Sequence, residues 1–125
     1  MILGVGIDLT PVDRMARLLE RYPQRSAERL FTQREQAYCW ARARPAEHFA
    51  ARFAAKEATL KALGVPEGLS WHELEVVSRS GAPPVLELHG RAKEAARSCG
   101  MTRAHLSLSH AGGQATAIVI LEGER

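Results

Sequence analysis

Asp8, Glu57 and Lys61, with Lys56 beside them, are the residues of this chain best suited to chemistry. Carboxylates from separate segments, with lysines close by, suit Mg²⁺ and phosphate groups. Mg²⁺ takes one or two protein carboxylates and completes its octahedron with waters and substrate oxygens. Lysine ammoniums act as point charges on phosphates. A second polar set, His105, Ser107, Ser109 and His110, surrounds Leu106 and Leu108. Each feature has a plainer alternative. Asp8 suits a turn or a cap. Glu57 and Lys61 fit a surface i,i+4 pair, and Lys56 can run its stem along apolar surface to water.

Other chemistries find no support in the pattern. Cys39 and Cys99 stand far apart and match no metal or redox spacing, so two free thiols are expected. No Cys/His set has zinc-ligand spacing. Ser107 and Ser109 lack a nucleophile elbow, and there is no Walker loop.

The element carrying Glu57 must be a helix. His48 to Gly64 is rich in Ala, Leu, Lys and Glu, all good helix formers. Gly64-Val65-Pro66 reads as its stop, with Gly64 suited to the left-handed position. Phe49, Phe53, Leu60 and Leu63 fall on one stripe, which predicts a core-facing side. Lys56 lies inside that stripe, and an unpaired buried charge is costly.

Asp8 closes a predicted strand, Ile2 to Leu9. Leu3, Val5, Ile7 and Leu9 alternate there with Gly4, Gly6 and Asp8. Interior glycines mark close approach by a ligand or another backbone. Thr10-Pro11-Val12-Asp13 reads as a helix start with Thr10 as cap. Val12, Met15, Leu18, Leu19 and Tyr22 continue at helical spacing. Arg14, Arg17, Arg21 and Arg25 lie off that stripe as a positive surface, either solvated or available to an acidic partner. A short helical turn is expected over 26–30. Thr32-Gln33-Arg34-Glu35 matches a capping box opening a helix to about Ala43. Strands are predicted over 74–78 and 85–88, joined by Ser80-Gly81-Ala82-Pro83-Pro84. An Ala-rich helix over 90–99 and a closing hairpin, 105–110 with 115–121, complete an α+β domain.

The 125 residues make one domain, 1–125, large enough for a real core. No apolar run approaches a membrane span, and MILGVGIDL lacks the basic start of a signal peptide. A cytoplasmic protein is expected. The net charge of +3 fits an anionic partner without naming it. A nucleic-acid-binding module is one reading, though few aromatics interleave with the arginines. A purely scaffolding domain is another.

GVGIDLTPVDRM near the N-terminus, FAARFAAKEATLKALG in the centre and LSLSHAGGQATAIVILE near the C-terminus together resemble the holo-[acyl-carrier-protein] synthase family. These are the short-type 4'-phosphopantetheinyl transferases. The resemblance spans essentially the whole chain, with Phe53 standing where many relatives have Trp. It implies an α+β fold with an antiparallel sheet packed with helices. It implies Mg²⁺-dependent transfer of 4'-phosphopantetheine from coenzyme A to a serine of apo-acyl carrier protein, with release of adenosine 3',5'-bisphosphate. By resemblance, Asp8 and Glu57 are the metal ligands, and Asp8, Glu57 and Lys61 the catalytic set. Arg52, Lys56, Lys61, Gly64, Gly81, Pro83, Ser109 and His110 bind coenzyme A. The expected general base is Glu57 or a metal-bound water that it orients. Mn²⁺ suits the same oxygens as Mg²⁺. Arg14 and Arg21 meet an acidic carrier helix. The resemblance also implies a homotrimer with active sites between subunits, and no nucleic-acid or membrane partner.

Overall fold

Gly4 and Gly6 let a helix lie directly on a strand, and the fold is built around that contact. The computed structural model describes residues 1–124. Strand β1 runs Ile2–Pro11, and the long helix α4 runs Pro45–Ala62. A Cβ on Gly4 would stand 2.1 Å from the Ala62 carbonyl oxygen, and one on Gly6 would stand 1.7 Å from that of Ala58. Only glycine admits a helix backbone this close.

Helices α1 (Val12–Arg21), α2 (Pro23–Leu30) and α3 (Gln33–Trp40) follow β1 and lead into α4. A single 3₁₀ turn (Trp71–Glu73) precedes β2 (Leu74–Val77) and β3 (Val85–Leu88), which pair antiparallel as a small sheet. Helix α5 (Gly90–Ser98) then leads to β4 (Met101–Ala111) and β5 (Gln114–Gly123). The main sheet is antiparallel in the order β1-β5-β4. The expected α+β class is what the chain adopts. Among the described residues, no helix is long and apolar enough to cross a membrane.

The core has two continuous parts. Met15, Leu19, Ala27, Phe31, Cys39 and Phe49 fill the space between α1–α3 and the first half of α4. Ala54, Ala55, Ala58, Val76, Val119 and Leu121 join its second half to the sheets. The predicted stripe on α4 is therefore corrected. Phe49 is fully buried, but Phe53, Leu60 and Leu63 are half-buried, and alanines carry the deep face. Small residues dominate because the helix lies against strand backbone.

Two local expectations also change. Strand β1 continues past Leu9 because Thr10 and Pro11 still pair with Ala115 and Gln114. Thr10 is consequently not a helix cap. Helix α1 opens without a side-chain cap, its Val12 amide donating to the Gly113 carbonyl at 2.9 Å. The segment 23–30 is a full helix opened by Pro23 rather than a short turn. The capping box at Thr32 and Glu35 forms as expected. Gly64 ends α4 at φ +81°.

Candidate active site

Asp8 enters the site because strand alternation places it on the helix-facing side, in line with Gly4 and Gly6. It lies three residues before the strand's end. Thr116 Oγ1 on β5 donates to the Asp8 backbone carbonyl at 2.8 Å, and Thr10 Oγ1 donates to Asp8 Oδ2 at 3.3 Å. Lys61 Nζ reaches across from α4 to Asp8 Oδ1 at 3.2 Å and to the Ile7 carbonyl at 2.9 Å. The plainer alternative, a surface pair within α4, gives way to an ion pair between α4 and β1.

Glu57 lies one turn before Lys61 and lines the same open cleft as Asp8. Its carboxyl is pushed above the usual range, first by burial and then by the Asp8 charge, with Lys61 offsetting part of this. Two carboxylates lining one cleft, one raising the pKa of the other, have the donor chemistry that suits a hard cation. The cleft measures about 1120 Å³. Arg14, Arg17, Arg21, Leu18 and Tyr22 of the α1 region line one side, and Phe53 and Glu57 of α4 line another. Asp8, Glu57, Arg14 and Arg21 were expected in one site, and the fold brings them to one cleft.

Lys56 and Arg52 are corrections. Both were expected to meet coenzyme A, yet Lys56 is 0% and Arg52 2% exposed. Lys56 points into the protein, where its ammonium donates to Glu35 Oε1 (2.8 Å) and to the carbonyls of Trp71 (2.8 Å) and Leu74 (2.7 Å). All three donors are taken, and none is left for a phosphate. Burial lowers its pKa, and Glu35 offsets part of that loss. Arg52 stacks over Tyr38 at 4.2 Å and donates to Ser78 Oγ and the His48 carbonyl. Its Nε atom is buried without a partner.

The remaining expected residues stand outside the cleft. His110 and Ser109 are exposed on β4, with His110 Nδ1 3.8 Å from Glu47 Oε2. His110 belongs to a basic neighbourhood with Arg42, His48 and Arg52. The His48 pKa is lowered by burial and then by Arg52, Arg42 and His110. Gly64, Gly81 and Pro83 are exposed in loops, with Gly81 at φ +74°.

Sequence reasoning missed three contributors. Thr10 and Thr116 hold Asp8, and neither spacing nor composition marks them. Glu35 was legible as a helix cap; its pairing with Lys56 joins positions 21 apart and needs the fold. Glu75, Glu87 and His89 bring ligand atoms within 4.8 Å of one another. That grouping is built around Arg34, which donates to Glu75 at 2.6 Å and to Glu87 at 3.1 Å, so a cation of the protein already serves it. Cys39 is buried, and burial pushes its thiol up to about 12, which leaves no thiolate for nucleophilic chemistry.

The family model "4'-phosphopantetheinyl transferase superfamily" matches residues 4–119. A holo-[acyl-carrier-protein] synthase of Anaeromyxobacter dehalogenans is 52% identical over 126 residues, covering 98% of each chain. The crystal structure of the holo-[acyl-carrier-protein] synthase from Neisseria meningitidis superposes with a TM-score of 0.85 at 28% identity, over 98% of this chain and 99% of that one. The Helicobacter pylori enzyme in complex with coenzyme A gives a TM-score of 0.81 at 28% identity, over 94% and 99% of the two chains. With a matched family model, a close relative of equal length and a shared fold, the chain belongs to the 4'-phosphopantetheinyl transferase superfamily, within its holo-[acyl-carrier-protein] synthase family.

Proposed function

We propose that the chain transfers the 4'-phosphopantetheine arm of coenzyme A to a serine hydroxyl of an apo-acyl carrier protein and releases adenosine 3',5'-bisphosphate. One observation carries the reading. The Asp8 and Glu57 carboxylates share a cleft that Arg14, Arg17 and Arg21 also line.

Asp8 and Glu57 would hold Mg²⁺, since both carboxylates line one cleft and the Asp8 charge adds to burial in raising the Glu57 pKa. Bound there, the ion supplies charge neutralisation for the pyrophosphate as negative charge develops on it. Lys61, held beside Asp8, adds a second positive charge at the same place. The serine oxygen bonds to the phosphorus that carries pantetheine. The bond from that phosphorus to the bridging oxygen breaks, and the adenosine bisphosphate leaves with the electron pair. Serine is a poor nucleophile until a base takes its proton. Glu57, or a metal-bound water that it orients, would take it.

Arg14, Arg17 and Arg21 face the acidic helix of the carrier, and Leu18 and Tyr22 between them supply apolar contact. A homotrimer completes the site. Val5, Ile7 and Leu9 on the outer face of β1 are 53–61% exposed. Ile118 of β5 stands beside Ile7. Such a contiguous apolar face suits burial against further copies of the chain. It also answers the separation of His110 and Ser109 from the cleft, since a neighbouring subunit can bring them to it.

The test is to incubate the protein with apo-acyl carrier protein, coenzyme A and Mg²⁺ and to weigh the intact carrier. A carrier heavier by one phosphopantetheine, and only without EDTA, is the expected result. An unchanged carrier across several carrier types, with folded protein, would overturn the reading.

A further inference from the structure

A buried lysine next to a site carboxylate invites a question about α4. Successive helical residues point about 100° apart. Lys56 therefore faces the small sheet while Glu57 faces the cleft. The Lys56 ammonium is fixed from three sides by groups on different elements: Glu35 of α3, the Trp71 carbonyl of the 3₁₀ turn and the Leu74 carbonyl of β2. Glu35 is itself held by two further bonds. Its Oε1 also accepts from the Thr32 amide at 2.9 Å, and its Oε2 accepts from the Val76 amide at 2.9 Å. Nothing in this lattice of bonds is free to swing.

Stability alone is a weak reason for such a pair. Well-packed apolar replacements of buried ion pairs are often neutral or stabilising. What three directional bonds add is orientation. Gly4 and Gly6 set the distance between α4 and β1. Lys56, on another side of the helix, ties it to α3, the 3₁₀ turn and β2. The same carbonyl of Trp71 that Lys56 holds belongs to the residue whose ring rests 5.2 Å from that of Phe53, a wall of the cleft.

We propose that Lys56 is a positioning residue for the transfer reaction, holding the rotation of α4 at which Glu57 faces Asp8. The inference rests on the reading of Asp8 and Glu57 as the cation site. It assigns Lys56 a role that needs no contact with coenzyme A.

The test compares the wild-type chain with the Lys56→Met/Glu35→Gln double variant, which neutralises both partners together. Folding is checked by circular dichroism. Mn²⁺ binding is read by electron paramagnetic resonance, and kcat and KM are measured in the transfer assay. The expected result is a folded variant with Mn²⁺ affinity weakened about 10-fold or more, the scale of losing a group that orients a ligand. Its kcat falls in step while the KM for coenzyme A changes little. Lys56→Arg, which keeps charge and donors, recovers part of both. If the double variant does not fold, Lys56→Gln, with two donors on a shorter arm, makes the same comparison. A folded variant with wild-type Mn²⁺ affinity and kcat would overturn the proposal and leave Lys56 a structural residue. Wild-type protein that transfers but binds no Mn²⁺ would instead overturn the cation reading, and this proposal with it.

Discussion

Gly6 on β1 lies directly beneath Ala58 on α4, so close that a methyl group on Gly6 would meet the Ala58 carbonyl oxygen at 1.7 Å. This contact sets the separation between the strand that carries Asp8 and the helix that carries Glu57.

Gly6→Ala is therefore expected to destabilise the protein by roughly 3 kcal/mol, at the upper end of overpacking, because the obstacle is helix backbone and cannot change rotamer. Urea unfolding measures the loss. Whatever folded fraction survives should transfer poorly, since the strand and helix must part to admit the methyl.

Glu57 should make the metal-free protein less stable as the pH rises. Its carboxyl is raised above the ordinary value of 4.5, by burial first and Asp8 second. Between the unfolded and folded pKa values the native state binds more protons than the unfolded state, so stability falls with increasing pH across that window. Glu57→Gln removes this slope and stabilises the metal-free chain at neutral pH, while abolishing the stabilisation that Mg²⁺ gives the wild type. Thermal melts with and without Mg²⁺, at pH 4 and pH 7, read both effects.

Glu75 behaves in the opposite sense. Burial alone would raise its pKa, but hydrogen bonds from Arg34, Thr32 and His89 outweigh burial and hold it at about 2. The stability it contributes is present above the unfolded value of 4.5 and is lost as the pH falls towards 2. A shallower acid limb in Glu75→Gln, followed by circular dichroism between those pH values, is the expected outcome.

Arg14 lines the cleft on the α1 side. Reversing it to Glu should raise the KM for the carrier about 10-fold or more, through a slower encounter that depends on salt, and leave the KM for coenzyme A nearly unchanged. Steady-state kinetics with each substrate varied in turn decide this. Equal changes in both values would remove Arg14 from carrier docking.

Ile7 is 61% exposed in the middle of the apolar face of β1. Ile7→Asp should convert the proposed trimer to monomer in sedimentation equilibrium without unfolding the chain, because most of the side chain is exposed within its own protomer. Transfer activity should fall with the loss of assembly. A wild-type chain that sediments as a monomer would refute the interface.

The amino-acid sequence determined the order of elements, the helix that carries Glu57, the Thr32–Glu35 capping box and the family, because each is written in local spacing or in motifs of fixed separation. It also determined that β1 has one apolar and one glycine-rich face. The tertiary structure decided which face turns inward. Alternation alone suggests that Val5, Ile7 and Leu9 form the core side, yet they are exposed and the glycines are covered. Periodicity says which residues share a face, while the partner that covers a face is chosen by shape, and a bare strand fits a helix backbone more closely than a branched one does. The same limit applies to the charges. Lys56 and Lys61 are both lysines on one helix, and only the fold separates them. Lys56 turns to a buried glutamate 21 positions earlier, and Lys61 to an aspartate 53 positions earlier. Neither distance leaves a trace in local sequence, because an ion pair is made by proximity in space and not by spacing along the chain.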